Sequence, residues 1–322
     1  MAVSADGAYA KDDTALITLI DAQSCWFTGV SARTSQHVEN IEFVSHEFGF
    51  LLGRSIAPAD AERNDWSIVP ASLERFGLDG TRQVIVDAIP YPISSMAVSA
   101  DGKLVAVCTK PLMDEKPVPV WAECRVYSLE DGKLVSRVQP AEATVLKAGF
   151  IGESESCLIA SQPFHPGHPQ AYLVSAKSGE ILQESTIADS ITEIYSLVTA
   201  PQSNEAYVAT TAVVWRFAIN GRAFEFEKFH TKSAIRNTGV NPKWMAFDPI
   251  RQRLAVGEET SGTYHLSATT IIDIPSRTAM HPSARTAGPM RFSPDGNSLF
   301  VLGSPVTRVN LRPLRLKRDT AQ

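Results

Sequence analysis

The chain has 322 residues, of which 44% are hydrophobic and 20% are charged, and its formal net charge is −5. This composition is ordinary for a globular protein, and the acidic balance argues against a nucleic-acid-binding surface. No run of 18 apolar residues occurs, so we expect no membrane-spanning helix.

One short phrase returns along the chain. Met1–Gly7 recurs at Met96–Gly102, Met290–Gly296 is a third copy, and Met245–Pro249 is a degenerate fourth. Recurrence at intervals of a few tens of residues is typical of repeat architectures, in which each repeat is one supersecondary unit.

The second apolar residue of each copy serves as a marker of the repeat. The apolar runs predict seven such markers, 40 to 55 residues apart. This spacing is close to the roughly 40–50 residues of a four-stranded propeller blade. In chain order the markers are Val3, Phe43, Val98, Phe150, Val198, Phe247 and Phe292.

Each unit follows the same order of elements. A marker strand leads through a turn into an apolar strand, then come a variable loop, a third strand, a tight turn and a more polar fourth strand. The tight turns are hairpin signals, since Gly and Asn accept positive φ at low cost. They are Asp79-Gly80, Asp131-Gly132, Ser178-Gly179 and Asn220-Gly221.

These patterns predict an all-β fold, a seven-bladed β-propeller of four-stranded antiparallel blades that uses residues 1–322 as a single domain. The second blade has the least defined third strand, which we expect near Ser72–Phe76. Sustained 3.6-residue periodicity is missing, so few helices are expected.

The wording of several strands resembles the YVTN/WD40-like seven-bladed β-propellers. Phe292–Gly296 and Tyr207–Thr210 match the commonest strand-turn-strand phrases of that superfamily, and Ile271–Ile274 matches its third strand. The strict Gly-His and Trp-Asp signature is missing, and so is the histidine-rich first-strand motif of lactonase-type propellers. The resemblance therefore implies a fold and no particular function, since propellers host scaffolds and enzymes alike.

Three consecutive blades carry a long loop between their second and third strands, at residues 55–66, 110–121 and 162–169. Equivalent loops emerge on one face, so we expect a contiguous raised patch. Aromatic and methionine anchors within a charged rim are typical of binding surfaces. The alternative is that long loops are merely tolerated. The candidate binding residues are Trp66, Met113, Trp121, Phe164 and His168.

Catalytic and metal-binding patterns are weak. His165 and His168 are the closest approach to a metal pair, but their loop holds three prolines and no neighbouring carboxylate or thiol completes a site. The sequence offers no nucleophile elbow and no nucleotide-binding glycine motif. We therefore assign no catalytic residue, no metal and no cofactor.

The four cysteines are Cys25, Cys108, Cys124 and Cys157, with no C-x-x-C pair. Cys108 ends a second strand and Cys124 begins the third strand of the same blade, so the two are expected to face each other, most simply as reduced thiols. The first residues lack a basic n-region and an apolar h-region, which predicts a soluble, cytoplasmic protein. Because the chain opens inside a repeat phrase, a missing leader stays an open alternative.

Two functions are compatible with these features. The first is a non-catalytic scaffold that presents the patch of blades two to four to a protein partner. The second is a propeller enzyme, a hydrolase or lactonase, with its site at a mouth of the central channel. An enzyme requires converging titratable groups at the channel, whereas a scaffold requires an exposed apolar patch. No Asp, Glu or His recurs at one position of the first strands, which favours the scaffold.

Overall fold

Most of the chain is placed in a computed structural model. The structure describes residues 2–6, 15–20, 27–34, 37–45, 49–55, 71–111, 121–152, 155–164, 167–187, 193–211, 213–230, 240–260, 267–282, 288–293, 295–301 and 307–311.

The strands group into sheets that follow one another along the chain. The first sheet contains β1 (Ala2–Asp6), β2 (Ala15–Ile20) and β3 (Phe27–Thr34). The second contains β4 (His37–Ser45), β5 (Gly49–Ser55), β6 (Ala71–Phe76) and β7 (Arg82–Ile89). The third contains β8 (Ile93–Val98), β9 (Leu104–Thr109), β10 (Cys124–Ser128) and β11 (Leu134–Val138). The fourth contains β12 (Ala143–Ile151), β13 (Ser156–Pro163), β14 (Gln170–Ser175) and β15 (Ile181–Thr186).

The remaining sheets continue the same order. The fifth contains β16 (Ile194–Ala200), β17 (Glu205–Thr210), β18 (Val213–Asn220) and β19 (Ala223–His230), with a 3₁₀ turn at Pro201–Ser203. The sixth contains β20 (Val240–Asp248), β21 (Arg253–Thr260), β22 (Ser267–Asp273) and β23 (Thr278–Met280). The seventh contains β24 (Met290–Phe292), β25 (Ser298–Val301) and β26 (Thr307–Asn310).

Every sheet is an antiparallel meander in which sequence neighbours pair. For example, β8 pairs with β9, β9 with β10 and β10 with β11. The prediction of an all-β, antiparallel fold is therefore confirmed. The expected third strand of the second unit is β6, which begins at Ala71, one residue before the predicted start. Among the described residues no helix is long and apolar enough to cross a membrane.

Each marker of the sequence repeat lies on the first strand of a sheet. Val98 is the last residue of β8, and Phe150 lies one residue before the end of β12. The first strands of neighbouring sheets contact one another in succession, from β4 through β8, β12, β16 and β20 to β24. The repeat phrase therefore coincides with the line along which the sheets meet. The assignment of the whole chain to one domain stays a prediction.

The second strands of the second to seventh sheets are buried on both faces. In β9, Val105 and Val107 pack toward the second sheet, whereas Ala106 and Cys108 pack toward the fourth, and all four have no exposed surface. Side chains alternate between the two faces of a strand. A strand that reads as a continuous apolar run is thus one whose two faces are both covered.

Each apolar cluster of the described residues joins one sheet to the next. Separate clusters connect the second sheet to the third, the third to the fourth, the fourth to the fifth, the fifth to the sixth and the sixth to the seventh. A buried ion pair adds to the last of these contacts. Arg253 Nη2 bonds Asp248 Oδ2 at 2.6 Å in the sixth sheet and also donates to the carbonyl oxygen of Gly296 in the seventh.

Two of the predicted hairpin turns rest on the sheet before them. Gly132 has φ +69°, and a Cβ built there would overlap the carbonyl oxygen of Ile85 on β7. Gly179 has φ +74°, and a Cβ there would lie 2.8 Å from the carbonyl oxygen of Arg137 on β11. Glycine is therefore required at these turns for two reasons: the backbone is left-handed, and a Cβ would collide with the backbone of the preceding sheet.

The cost of the close contact at Gly132 can be measured separately from the cost of its left-handed backbone. Gly221 is also left-handed, with φ +61°, but a Cβ there would have no neighbour within 4 Å. We expect Gly221→Ala to cost about 1 kcal/mol of unfolding free energy from strain alone. Gly132→Ala should cost about 2–4 kcal/mol, because overlap adds to strain. Urea denaturation measures both, and equal costs would show that the turn does not need the approach to β7.

Candidate functional site

An aromatic pair bridges the third and fourth sheets. The ring centroids of Trp121 and Phe164 lie 5.7 Å apart with the ring planes tilted by 48°. Trp121 comes three residues before β10, and Phe164 comes directly after β13. Trp121 is half-buried, whereas Phe164 is 50% exposed. The pair therefore offers an accessible aromatic surface at one end of two neighbouring sheets.

The connection between the third and fourth sheets holds both aromatic residues in place. The amide of Phe164 donates to the carbonyl oxygen of Glu142 at 2.9 Å, and Glu142 has a left-handed backbone with φ 49°. The side chain of Gln139 donates to the carbonyl oxygen of Trp121 at 3.4 Å. One short segment thus fixes the backbone of both rings, which favours a preformed surface.

A buried carboxylate lies beside this pair. Glu123 has no exposed surface and forms ion pairs with Arg125 and Arg137, each at 2.5 Å. The guanidinium of Arg137 is half exposed and also donates to the side chain of Gln139 at 3.2 Å. Glu123 therefore orients a cationic group at the margin of the aromatic pair. We call Trp121, Phe164, Gln139 and Arg137 the aromatic patch.

The structure places the sequence-predicted site residues unevenly. Trp121 and Phe164 are brought together. His168 is exposed, two residues before β14, at the end of the fourth sheet where β13 finishes. Trp66, Met113 and His165 lie outside the described residues, so the three-loop surface and the histidine pair stay predictions. Among the residues that the structure describes, no group of three His, Cys, Asp or Glu side chains is placed to hold a metal.

A second feature, a cleft between the fifth and sixth sheets, was missed from the sequence. Its volume is about 330 Å³. Polar, aromatic and two aliphatic residues from both sheets line it: Ser203, Glu205, Arg216, Phe229, Phe247, Gln252, Ile274, Pro275 and Arg277. The repeat pattern predicts only a more polar fourth strand here, and Glu227 on that strand, β19, takes part in the ion pairs of the cleft.

The charges of the cleft neutralise one another. Arg216 forms ion pairs with Glu205 and, at 3.0 Å, with Glu227. Glu227 also accepts a hydrogen bond from Arg277 at 2.5 Å. The hydrogen bond to Glu205 is the main cause of a raised pKa at Arg216, and the hydrogen bond from Arg216 lowers the pKa of Glu227. Two arginines thus face two carboxylates, so each of these four side chains has a partner of opposite charge.

Tyr207 is a buried hydrogen-bond partner of Glu205 in this network. It has no exposed surface, and its hydroxyl donates to Glu205 Oε2 at 2.6 Å. Its ring contacts Phe229 edge-on at 5.1 Å and stacks on Phe247 at 6.4 Å. Burial, and then the hydrogen bond to Glu205, raises the pKa of Tyr207 well above its ordinary value. The tyrosine therefore stays a neutral donor.

Charged residues on the first strands are also paired. Arg291 on β24 bonds Glu42 on β4 at 2.8 Å, although the two are 249 positions apart in the sequence. Lys147 on β12 is largely buried, which lowers its pKa, and its amine lies 3.5 Å from the carbonyl oxygen of Ser94. The ion pair links the first strands of the second and seventh sheets.

Comparison with known proteins identifies the fold and nothing finer. No protein-family model matches the chain, and no curated protein matches its sequence. Many solved structures are similar. One is a chain of Kuenenia stuttgartiensis hydrazine synthase, with a TM-score of 0.66 and 14% identity, covering 92% of this chain and 89% of that one. Hydrazine synthase contains a β-propeller. At this identity the similarity concerns architecture alone.

The hydrogen bond of Tyr207 can be tested by removing one oxygen. We expect Tyr207→Phe to lower the free energy of unfolding by about 1.5–3 kcal/mol, because the lost partner is a charged carboxylate. Urea denaturation measures the change. The matched control is Tyr172→Phe, a buried tyrosine whose raised pKa is caused mainly by burial. Equal losses in the two variants would contradict a specific role for the bond to Glu205.

Proposed function

We propose that this chain is a seven-bladed β-propeller that acts as a non-catalytic interaction platform, with the aromatic patch at the centre of its contact surface. The observation that carries the proposal is the exposed Trp121–Phe164 pair, held across two sheets by one connection. Aromatic residues and arginine are the side chains that most often dominate binding energy at protein interfaces.

Three observations support a propeller. The sheets succeed one another with their first strands in contact, each apolar cluster joins consecutive sheets, and the similar hydrazine synthase chain covers most of both molecules. The ion pair between Glu42 and Arg291 brings the second and seventh sheets together. A ring in which the first sheet lies between these two accounts for that contact, since first strands surround the axis of a propeller.

The patch suits a protein partner better than a small molecule. It is a pair of rings at the end of two sheets, of which Phe164 is half exposed, whereas small ligands bury most of their surface in concave pockets. The half-exposed guanidinium of Arg137 supplies a cationic margin held by the buried Glu123. A partner segment that places an apolar side chain on the rings and a carboxylate beside Arg137 would satisfy both groups.

The alternative function is a hydrolase or lactonase with its site at a mouth of the central channel. It predicts turnover of an ester or lactone panel by the purified protein, and loss of that turnover on substitution of first-strand residues such as Lys147. The platform predicts no turnover above a heat-denatured control.

The patch itself is tested by substitution of its rings. We expect Trp121→Ala and Phe164→Ala each to weaken binding of a partner, isolated with the wild-type protein, by at least about 30-fold, the effect of an interface hot spot. Titration calorimetry measures the affinity. Ile250→Ala is the matched control, because Ile250 is 63% exposed but lies in the turn between β20 and β21. Unchanged affinity in both ring variants, with folding intact, would refute the patch.

Ring closure is tested by cross-linking. Cysteines introduced by Glu42→Cys and Arg291→Cys should be joined by a short bis-maleimide within one molecule, because these side chains contact each other. Cysteines introduced by Val84→Cys and Arg291→Cys form the control pair, since Val84 lies on the fourth strand of the second sheet. Peptide mass spectrometry identifies the link. Equal yields in the two pairs would contradict the proposed ring.

A further inference from the structure

Three cysteines share the apolar core between the third and fourth sheets. Cys108, Cys124 and Cys157 are all free and at most 1% exposed. Free buried cysteines often behave as small apolar side chains. Two of these three, however, are placed for chemistry with each other.

Cys108 and Cys124 are direct partners across the β9–β10 ladder. The adjacent pair is hydrogen-bonded, since the amide of Thr109 donates to the carbonyl oxygen of Glu123 at 2.9 Å. Hydrogen-bonded and non-hydrogen-bonded pairs alternate in antiparallel sheets, so the two cysteines occupy a non-hydrogen-bonded position. There the Cα atoms are about 4.5 Å apart, within the range that a disulfide spans.

The two thiols of the pair are chemically unequal. The hydrogen bond between them, with Cys124 as the donor, lowers the pKa of Cys108 and raises that of Cys124. The positive charge of Lys147 also lowers the pKa of Cys108. Burial raises the pKa of Cys157 well above its ordinary value. Cys108 is therefore the nucleophile of the cluster, since the thiolate is the reactive form of cysteine.

We propose that Cys108 and Cys124 form a reversible dithiol–disulfide site that is oxidised by hydrogen peroxide. This site goes beyond the proposed interaction function and does not depend on it. The thiolate of Cys108 attacks the peroxide, which forms an S–O bond and breaks the O–O bond. Cys124 then displaces that oxygen, which leaves as water when the S–S bond forms. Overall, two thiols and one hydrogen peroxide give one disulfide and two waters.

The wild-type protein carries a direct readout. Lys110 and Lys116 both precede proline, so trypsin leaves Leu104–Arg125 as one peptide that holds both cysteines. After treatment with hydrogen peroxide, alkylation under denaturing conditions and digestion, we expect this peptide unalkylated and roughly 2 Da lighter than its dithiol form, the mass of two hydrogens. Dithiothreitol before alkylation should restore two alkylated cysteines.

Matched variants assign the roles. Cys108→Ser and Cys124→Ser should abolish the disulfide, whereas Cys157→Ser should form it as the wild type does. The site is refuted if the wild-type peptide stays a dithiol, if Cys108 gains oxygen atoms without a disulfide, or if Cys157→Ser prevents the reaction. The map of the wild-type protein decides the question even if a serine variant fails to fold.

Discussion

The burial of both faces of the second strands, from the second sheet to the seventh, is the constraint on which this structure depends. A sheet whose two faces are apolar cannot stand alone, so each sheet needs a neighbour on either side. The apolar clusters supply these contacts from the second sheet through the seventh. Apolar side chains occupy the interior of each contact between sheets. Exposed polar groups lie along outer strands such as β7 and β15, and the two rings of the aromatic patch lie at the ends of the third and fourth sheets.

Buried carboxylates recur at the seams. Glu123 is held by two arginines near the fourth sheet, Glu205 by Arg216 and Tyr207 at the cleft, and Asp248 by an arginine that also reaches the seventh sheet. Burying a charge is costly unless it is paired and hydrogen-bonded. The partners of Glu123 and Glu205 lie in the same sheet as the carboxylate, whereas Arg253 also reaches the carbonyl oxygen of Gly296 in the next sheet. We therefore expect the Asp248–Arg253 pair to contribute more to the orientation of the seventh sheet on the sixth than to net stability.

Much of the secondary structure could be predicted because its causes are local. Marker strands, tight turns and apolar second strands follow from alternation and from residues that accept positive φ, and β6 was found within one residue by the same reasoning. For Trp121 and Phe164 the sequence predicts that their loops lie side by side, but it does not predict that the two rings are in contact. The cleft was not predictable, because Arg216 and Arg277 come from different sheets and meet Glu227 only through packing. The pairing of Glu42 with Arg291 is likewise a long-range contact that periodicity does not encode.

The turns at Gly132 and Gly179 both contact the sheet that precedes them in the chain. Each turn packs against the fourth strand of the preceding sheet: Gly132 against β7 and Gly179 against β11. The third and fourth sheets therefore each cover part of the sheet before them. Duplication of whole units during evolution would therefore preserve both halves of these two junctions, provided that the breakpoints fall between sheets. A breakpoint within a sheet would separate a turn from the strand that receives it. At these two junctions the close contacts of Gly132 and Gly179 favour growth by whole repeats over growth by fragments.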